Sequence, residues 1–185
     1  MSRSENAVEE ALDTLILVDE NDIETGTCEK VECHLGQGLL HRAFSVFLFN
    51  PAGQLLIQQR SEHKMLWPLI WANSCCSHPR AGEATEVAAA RRIHEELGVQ
   101  CNLTYLYKFI YQSQYQDVGS EYENCWVFVG QFDGKLNVDN NEIAEHRFID
   151  PEDLTLSIAA NPDLYSPWLK LEWPRLQQEF NQQLP

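Results

Sequence analysis

Six side chains could do chemistry together. In Trp71-Ala-Asn-Ser-Cys-Cys76-Ser-His78-Pro79, Cys76 and His78 stand two apart, so an extended backbone turns both to one face. Upstream, His34 and His41 are seven apart and flank a Gly-rich bend, Leu35-Gly-Gln-Gly38, that lets both rings converge. Downstream, Glu121 and Glu123 repeat the period-two spacing at the start of a strand. Three imidazoles and two carboxylates suit a borderline first-row ion, Mn²⁺ or Zn²⁺. Any one of these histidines alone is more commonly an exposed or internally bonded residue, and His63, His94 and His146 are read that way.

A second constellation lies on a helix expected over Glu83 to Leu97, Ala-rich and closed by Gly98 as a left-handed stop. Arg92 and Glu96 are one turn apart, so a single face offers a cation for phosphate and a carboxylate for a hard metal such as Mg²⁺. The competing reading is an exposed amphipathic helix braced by Arg91–Glu95 and Arg92–Glu96 pairs.

The elements that must position these groups follow from pattern. Thr14–Val18 is a short β-prone run. Phe44–Phe49, a turn Asn50-Pro-Ala-Gly53 and Gln54–Gln59 read as two strands joined by a turn. Leu106–Gln112 and Asn124–Phe132 are aromatic and β-branched strand candidates. Asp150-Pro151 and Ser166-Pro167 each set a capping side chain before a Pro suited to the first helical position. Strands around one strong central helix predict a mixed α/β sandwich.

Composition narrows the partners. The 185 residues carry 13 Lys and Arg against 28 Asp and Glu, a net charge of −15, which argues against nucleic acid or an anionic membrane surface. The longest obvious apolar run, Phe44–Phe49, is strand-sized and cannot span a bilayer. The start, MSRSENAVEEALD, lacks the hydrophobic block of an export signal, so the six cysteines are read as reduced and the protein as cytoplasmic. With no repeat or linker, 1–185 is expected to be one domain with its core at about 30–170, a mobile extension 1–13, and a monomeric state.

The motifs also resemble known families. The run Arg91-Arg-Ile-His-Glu95-Glu96-Leu-Gly98-Val99 resembles the end of the Nudix box, with Glu83 at its first Glu position, Ser77 in place of its first Gly, and Arg92 in place of a metal-ligating Glu. That departure implies that the fold is kept and pyrophosphate hydrolysis is not. The ordered set Lys30, His34, His41, Arg60, Lys64, Trp67-Pro68, Trp71-x-Asn73-Ser74-x-Cys76-x-His78-Pro79, Glu121-x-Glu123 and Ser166-Pro167-Trp168 resembles the type 1 isopentenyl-diphosphate isomerase family over most of the chain. Cys75, Ser77 and Leu69 fall at variable places in those motifs.

The resemblance implies a Nudix-type α/β/α sandwich with a mixed sheet and an isoprenyl diphosphate as substrate. It implies Cys76 and Glu123 as acid–base pair, Tyr111 assisting Glu123, and Trp168 facing a cationic centre. His34, His41, His78, Glu121 and Glu123 would ligate the Mn²⁺ or Zn²⁺. Glu96 and the backbone carbonyl of Cys76 would hold Mg²⁺, and Lys30, Arg60, Lys64 and Arg92 would neutralise phosphate. The chemistry is consistent with this: shifting an unactivated double bond passes through a tertiary carbocation, which needs a dry pocket and is favoured by an indole face. Two rivals are a Nudix hydrolase of a diphosphate substrate, which should keep the full box, and a zinc-stabilised binding domain using Cys28, Cys33, Cys75, Cys76 and His78, which lacks any Cys-x2-Cys pair.

Overall fold

The computed structural model describes residues 14–185, so the expected mobile extension, 1–13, lies outside the described residues. The strands are β1 (Thr14–Val18), β2 (Glu24–Glu29), β3 (His41–Phe49), β4 (Leu55–Arg60), β5 (Trp71–Ala72), β6 (Cys75–Ser77), β7 (Leu103–Tyr115), β8 (Gly119–Gln131) and β9 (Ile143–Ile149). The helices are α1 (Lys30–His34), α2 (Thr85–Leu97), α3 (Pro151–Ala160) and α4 (Pro167–Glu179). Among the described residues, nine strands join in one mixed sheet centred on β3, which runs parallel to β8 and antiparallel to β1, β4 and β6.

Residue alternation along β3 decides what covers each face. Phe44, Val46 and Leu48 meet Ala88, Ala89, Ile93 and Leu97 of α2. Phe47 and Phe49, out of phase by one, meet Leu154 of α3 and Leu169, Trp173 and Leu176 of α4. A strand buried on both faces reads as a continuous apolar run, which is why Phe44–Phe49 does. Each such Phe contributes about 1.5–3 kcal/mol by leaving water. The expected α/β/α sandwich is the observed one.

The elements differ from expectation in instructive places. Helix α2 starts at Thr85, two residues late, because the Glu83 carboxylate is engaged in front of it: it accepts the Arg80 N–H at 3.0 Å and a two-pronged contact from Arg91 at 2.8 Å each. Gly98 does end the helix, at φ 69°. Ser166 caps α4, accepting the Leu169 N–H at 3.4 Å, but the Asp150 side chain makes no such bond to α3; its Oδ2 accepts from Gln54 instead, at 3.4 Å. Strands β7 and β8 are each 13 residues, longer than their apolar runs, because they form one hairpin from Leu103↔Gly130 to Tyr115↔Gly119, with a register shift between Tyr105 and Tyr107. Polar or very short segments such as β2, α1 and β9 carried no periodic signal.

Candidate active site

Sheet register assembles the first row of the site. His41 is the register partner of Glu123 across β3–β8, and Tyr111 is the partner of Glu123 across β7–β8, so three adjacent strands hold three functional side chains side by side. Four residues along the same face of β3, Ser45 pairs with Cys76 of β6. His34 comes from α1, packed on the start of β8, where Gly119 is obligatory: a Cβ there would lie 2.1 Å from the His34 carbonyl oxygen. Gly38, at φ +71°, returns the chain past the Ser120 carbonyl, which a Cβ would approach to 3.1 Å. The Gly-rich bend therefore brings the two histidines together as its spacing suggests.

The five residues His34, His41, His78, Glu121 and Glu123 converge, with one ligand atom from each all within 4.8 Å of one another. His34 Nδ1 lies 2.6 Å from the Lys30 carbonyl oxygen and His41 Nδ1 lies 2.7 Å from that of Leu39. A carbonyl only accepts, so both Nδ1 atoms must donate, which leaves the Nε2 lone pairs of the neutral rings pointing inward. Inward they meet carboxylates: His34 Nε2 is 2.9 Å from Glu121 and His41 Nε2 is 3.8 Å from Glu123. His78 Nε2 is hydrogen-bonded to Glu123 at 3.0 Å, and its Nδ1 is buried with no partner. His34 can relieve that repulsion by taking a proton: burial opposes it, but Glu121 outweighs burial and raises its pKa. His41 cannot, because complete burial and the neighbouring His34 hold it down at about 4, and its Nε2 has no hydrogen-bond partner. Burial, and then the neighbouring Glu121, pushes Glu123 well above the usual carboxylate range, so a buried lone pair facing it fits a divalent cation, which would hold that carboxyl ionised.

Next to this centre is a cleft of about 610 Å³, lined by every candidate residue except His41, which lies fully buried behind it. Burial pushes the Cys76 thiol up to about 12, against the pull of the Arg60 guanidinium 3.7 Å away, so it stands as a protonated donor. Tyr111 donates its hydroxyl to Glu123 Oε2 at 2.7 Å, and burial followed by Glu123 itself raises the phenol and keeps it protonated. Trp168, 2% exposed, is fixed by Nε1 donating to Asn73 Oδ1 at 2.9 Å, while Asn73 donates to the carbonyls of Val46 and Cys75. Arg60 donates to the Trp67 and Leu66 carbonyls at 3.1 and 2.9 Å and lies 5.2 Å from the centre of the Trp168 ring. Its guanidinium thus faces the thiol and the indole as well as the open cleft.

At the far end the cations are already in company. Arg92 reaches Glu96 at 2.8 Å, Glu142 at 3.0 Å and Glu95 at 3.1 Å, and Lys64 contacts the other oxygen of Glu142. Glu96 also accepts from the Cys75 thiol at 3.4 Å. Glu142 and Asn73 are the functional-looking residues that site reasoning on the sequence missed as such. Asn73 was only a position in a motif, and Glu142 sits in Asp139-Asn-Asn-Glu142, which reads as an ordinary acidic turn; no spacing marks it.

Comparison with known proteins agrees with this architecture. The NUDIX domain family model matches residues 39–170. Isopentenyl-diphosphate Delta-isomerase 1 of Photorhabdus laumondii is 43% identical over 164 residues, spanning 88% of this chain and 93% of that protein. Isopentenyl-diphosphate Delta-isomerase of Nocardia farcinica is 44% identical over 83% of this chain and 88% of its own length. Among solved structures, DR0079 of Deinococcus radiodurans is similar with a TM-score of 0.66 and 28% identity over 80% of this chain and 90% of that one. The MutT protein of Methanosarcina mazei, at 15% identity and a TM-score of 0.64 over 76% of this chain and 94% of its own, shares the fold alone. On the matched domain and the extent of these identities, the chain belongs to the Nudix family and, within it, to the isopentenyl-diphosphate Delta-isomerases.

Proposed function

We propose that this protein interconverts isopentenyl and dimethylallyl diphosphate by adding one proton to the alkene and removing another. The observation that carries the reading is the sharing of one cleft by a protonated thiol, Cys76, a carboxylate held by a phenol, Glu123, and a fixed indole, Trp168. Cys76 delivers its proton to the terminal methylene, leaving positive charge on the branched carbon. Glu123 accepts a proton from the adjacent methylene, the double bond forms there, and Tyr111 steadies the carboxyl through its hydrogen bond. The intermediate cation would be trapped by water, so the close packing of Trp67, Trp168 and Tyr111 around the thiol matters as much as the acid and base. The Trp168 face stabilises positive charge by about 0.5–2 kcal/mol or more.

His34, His41, His78, Glu121 and Glu123 would hold a divalent ion, Mn²⁺ or Zn²⁺ by donor type, whose charge keeps the two carboxylates ionised and in place. Glu96, with the Cys76 carbonyl, would hold Mg²⁺ accompanying the diphosphate, whose oxygens Lys30, Arg60, Lys64 and Arg92 neutralise. Hydrolysis is the poorer reading, since Arg92 puts a cation where a hydrolase keeps a metal-binding carboxylate. The same reading has the protein act as a cytoplasmic monomer on a small diphosphate, with neither nucleic acid nor membrane as partner. The net charge of −15 supports it, and no helix among the described residues is long and apolar enough to cross a bilayer.

The test is incubation of purified protein with isopentenyl diphosphate and Mg²⁺ in D₂O. Deuterium-labelled dimethylallyl diphosphate is expected. Release of inorganic phosphate, or recovery of unlabelled substrate, would overturn the reading.

A further inference from the structure

One buried ionisable group has no part in the reaction as described. Glu172, on α4 one turn beyond Trp168, is 1% exposed. Its Oε1 accepts from the Cys125 thiol at 3.6 Å, and Cys125 Sγ in turn lies 3.5 Å from Ser45 Oγ. Its other oxygen, Oε2, is buried with no hydrogen-bond partner, and no ion pair reaches the carboxyl among the described residues. An isolated carboxylate is costly in such surroundings, so a carboxyl left there holds its proton to higher pH than usual.

The neighbours of Glu172 give the position its meaning. Ser45 is the register partner of Cys76, and Cys125 is the next residue after Glu123 on the same face of β8. Cys125 also packs with Tyr111, Trp168 and Trp67 around Cys76. Glu172 therefore engages one residue that stands beside the proposed acid across the β3–β6 pairing and one that stands two residues along β8 from the proposed base.

We propose that Glu172 is a positioning residue for the acid–base pair, bracing Ser45 and Cys125 from beneath the cleft. The proposal rests on the reading of Cys76 and Glu123 as that pair. A neutral carboxyl in this place braces both strands without putting a negative charge under Glu123. Burial pushes Glu172 up to about 8, despite Ser45 and Cys125, so the brace is neutral at pH 7 and becomes charged above about 8. The charge then appears opposite Cys125 and Glu123 of β8 and Tyr107 of β7, with Arg175 and Glu179 further along α4 and the Ser45 hydroxyl on β3. Its appearance raises the proton affinity of these groups and strains the floor of the site, so turnover falls.

The experiment measures kcat and KM for isopentenyl diphosphate from pH 6 to 10 in the metal-loaded wild type, Glu172→Gln and Glu172→Leu, with circular dichroism to establish that each is folded. Glu172→Leu is expected to lose about tenfold in kcat with KM held within about twofold, the signature of misplaced reacting groups. Glu172→Gln, which keeps the shape without the titration, is expected to recover that loss and to move the alkaline fall of kcat upward from about pH 8 by at least about one pH unit. An alkaline limb shared by wild type and Glu172→Gln, or absent from wild type, would overturn the proposal. So would a Glu172→Leu variant that changes KM instead of kcat. Should Glu172→Leu not fold, the comparison of wild type with Glu172→Gln decides alone. A wild type that does not isomerise at any pH would instead sink the functional reading beneath it.

Discussion

The two ends of the cleft solve opposite electrostatic problems. At the His/Glu end, tautomers fixed by the Lys30 and Leu39 carbonyls aim lone pairs at carboxylates, a buried arrangement that is short of positive charge. At the Arg92 end, Glu95, Glu96 and Glu142 already answer the cations. One end is built to receive a cation. The other has its cations answered beforehand, so an incoming diphosphate must share or displace carboxylates that hold Lys64 and Arg92 in position. Preorganisation is therefore achieved at the first end by leaving a charge out and at the second by lending one.

That contrast can be broken experimentally. The largest effect is expected from chelation of the purified protein: isomerisation should fall to background, with the thermal midpoint lowered, and both should return on adding Mn²⁺ or Zn²⁺. Full activity in metal-free protein would mean that the first end is not short of charge. At the seam between the two ends, Cys76→Ser should lower turnover by about 10²–10⁴ while KM stays close to wild type, since the hydroxyl keeps the shape but cannot exchange the proton. Near-normal turnover would remove Cys76 from the acid role. With its thiol held protonated, Cys76 should also react slowly with a simple alkylating agent such as iodoacetamide, and quickly only with one shaped like the substrate.

At the second end, Arg92→Glu leaves two buried carboxylates facing a third and repels the diphosphate. KM is expected to rise about 30-fold or more, the consequence of losing about 2 kcal/mol or more at a buried charge contact. An unchanged KM would show that Arg92 serves only α2. The smallest effect belongs to Glu142→Gln. Removing the borrowed charge should tighten binding of inorganic diphosphate by about fivefold, near 1 kcal/mol, as read by calorimetry. Weaker binding would mean that Glu142 orients the cations more than it competes for them.

How legible the site was in the sequence depended on whether its geometry is local. Cys76 and His78 could be placed together because period two is a property of any extended segment, and Arg92 and Glu96 because period 3.6 is a property of any helix. The Gly98 stop and the Ser166 cap were readable for the same reason. Asp150 was not, since its side chain is drawn off by Gln54, 96 residues away. Glu142 and Asn73 acquire their roles only from partners far along the chain: Lys64 lies 78 residues from Glu142 and Trp168 lies 95 from Asn73.

What the chain alone determined is the inventory: a central apolar strand, an Ala-rich helix with its stop, the chemical types of the ligands, and a family pattern with Arg92 where a carboxylate was expected. Tertiary structure decided which members of that inventory meet. The parallel pairing of β3 with β8 puts His41 beside Glu123, and the glycine at 119 lets His34 close on Glu121. Burial then decides protonation, holding a proton on Cys76 and keeping one off His41. Register and burial are properties of distant segments brought together, and no spacing within one segment encodes them.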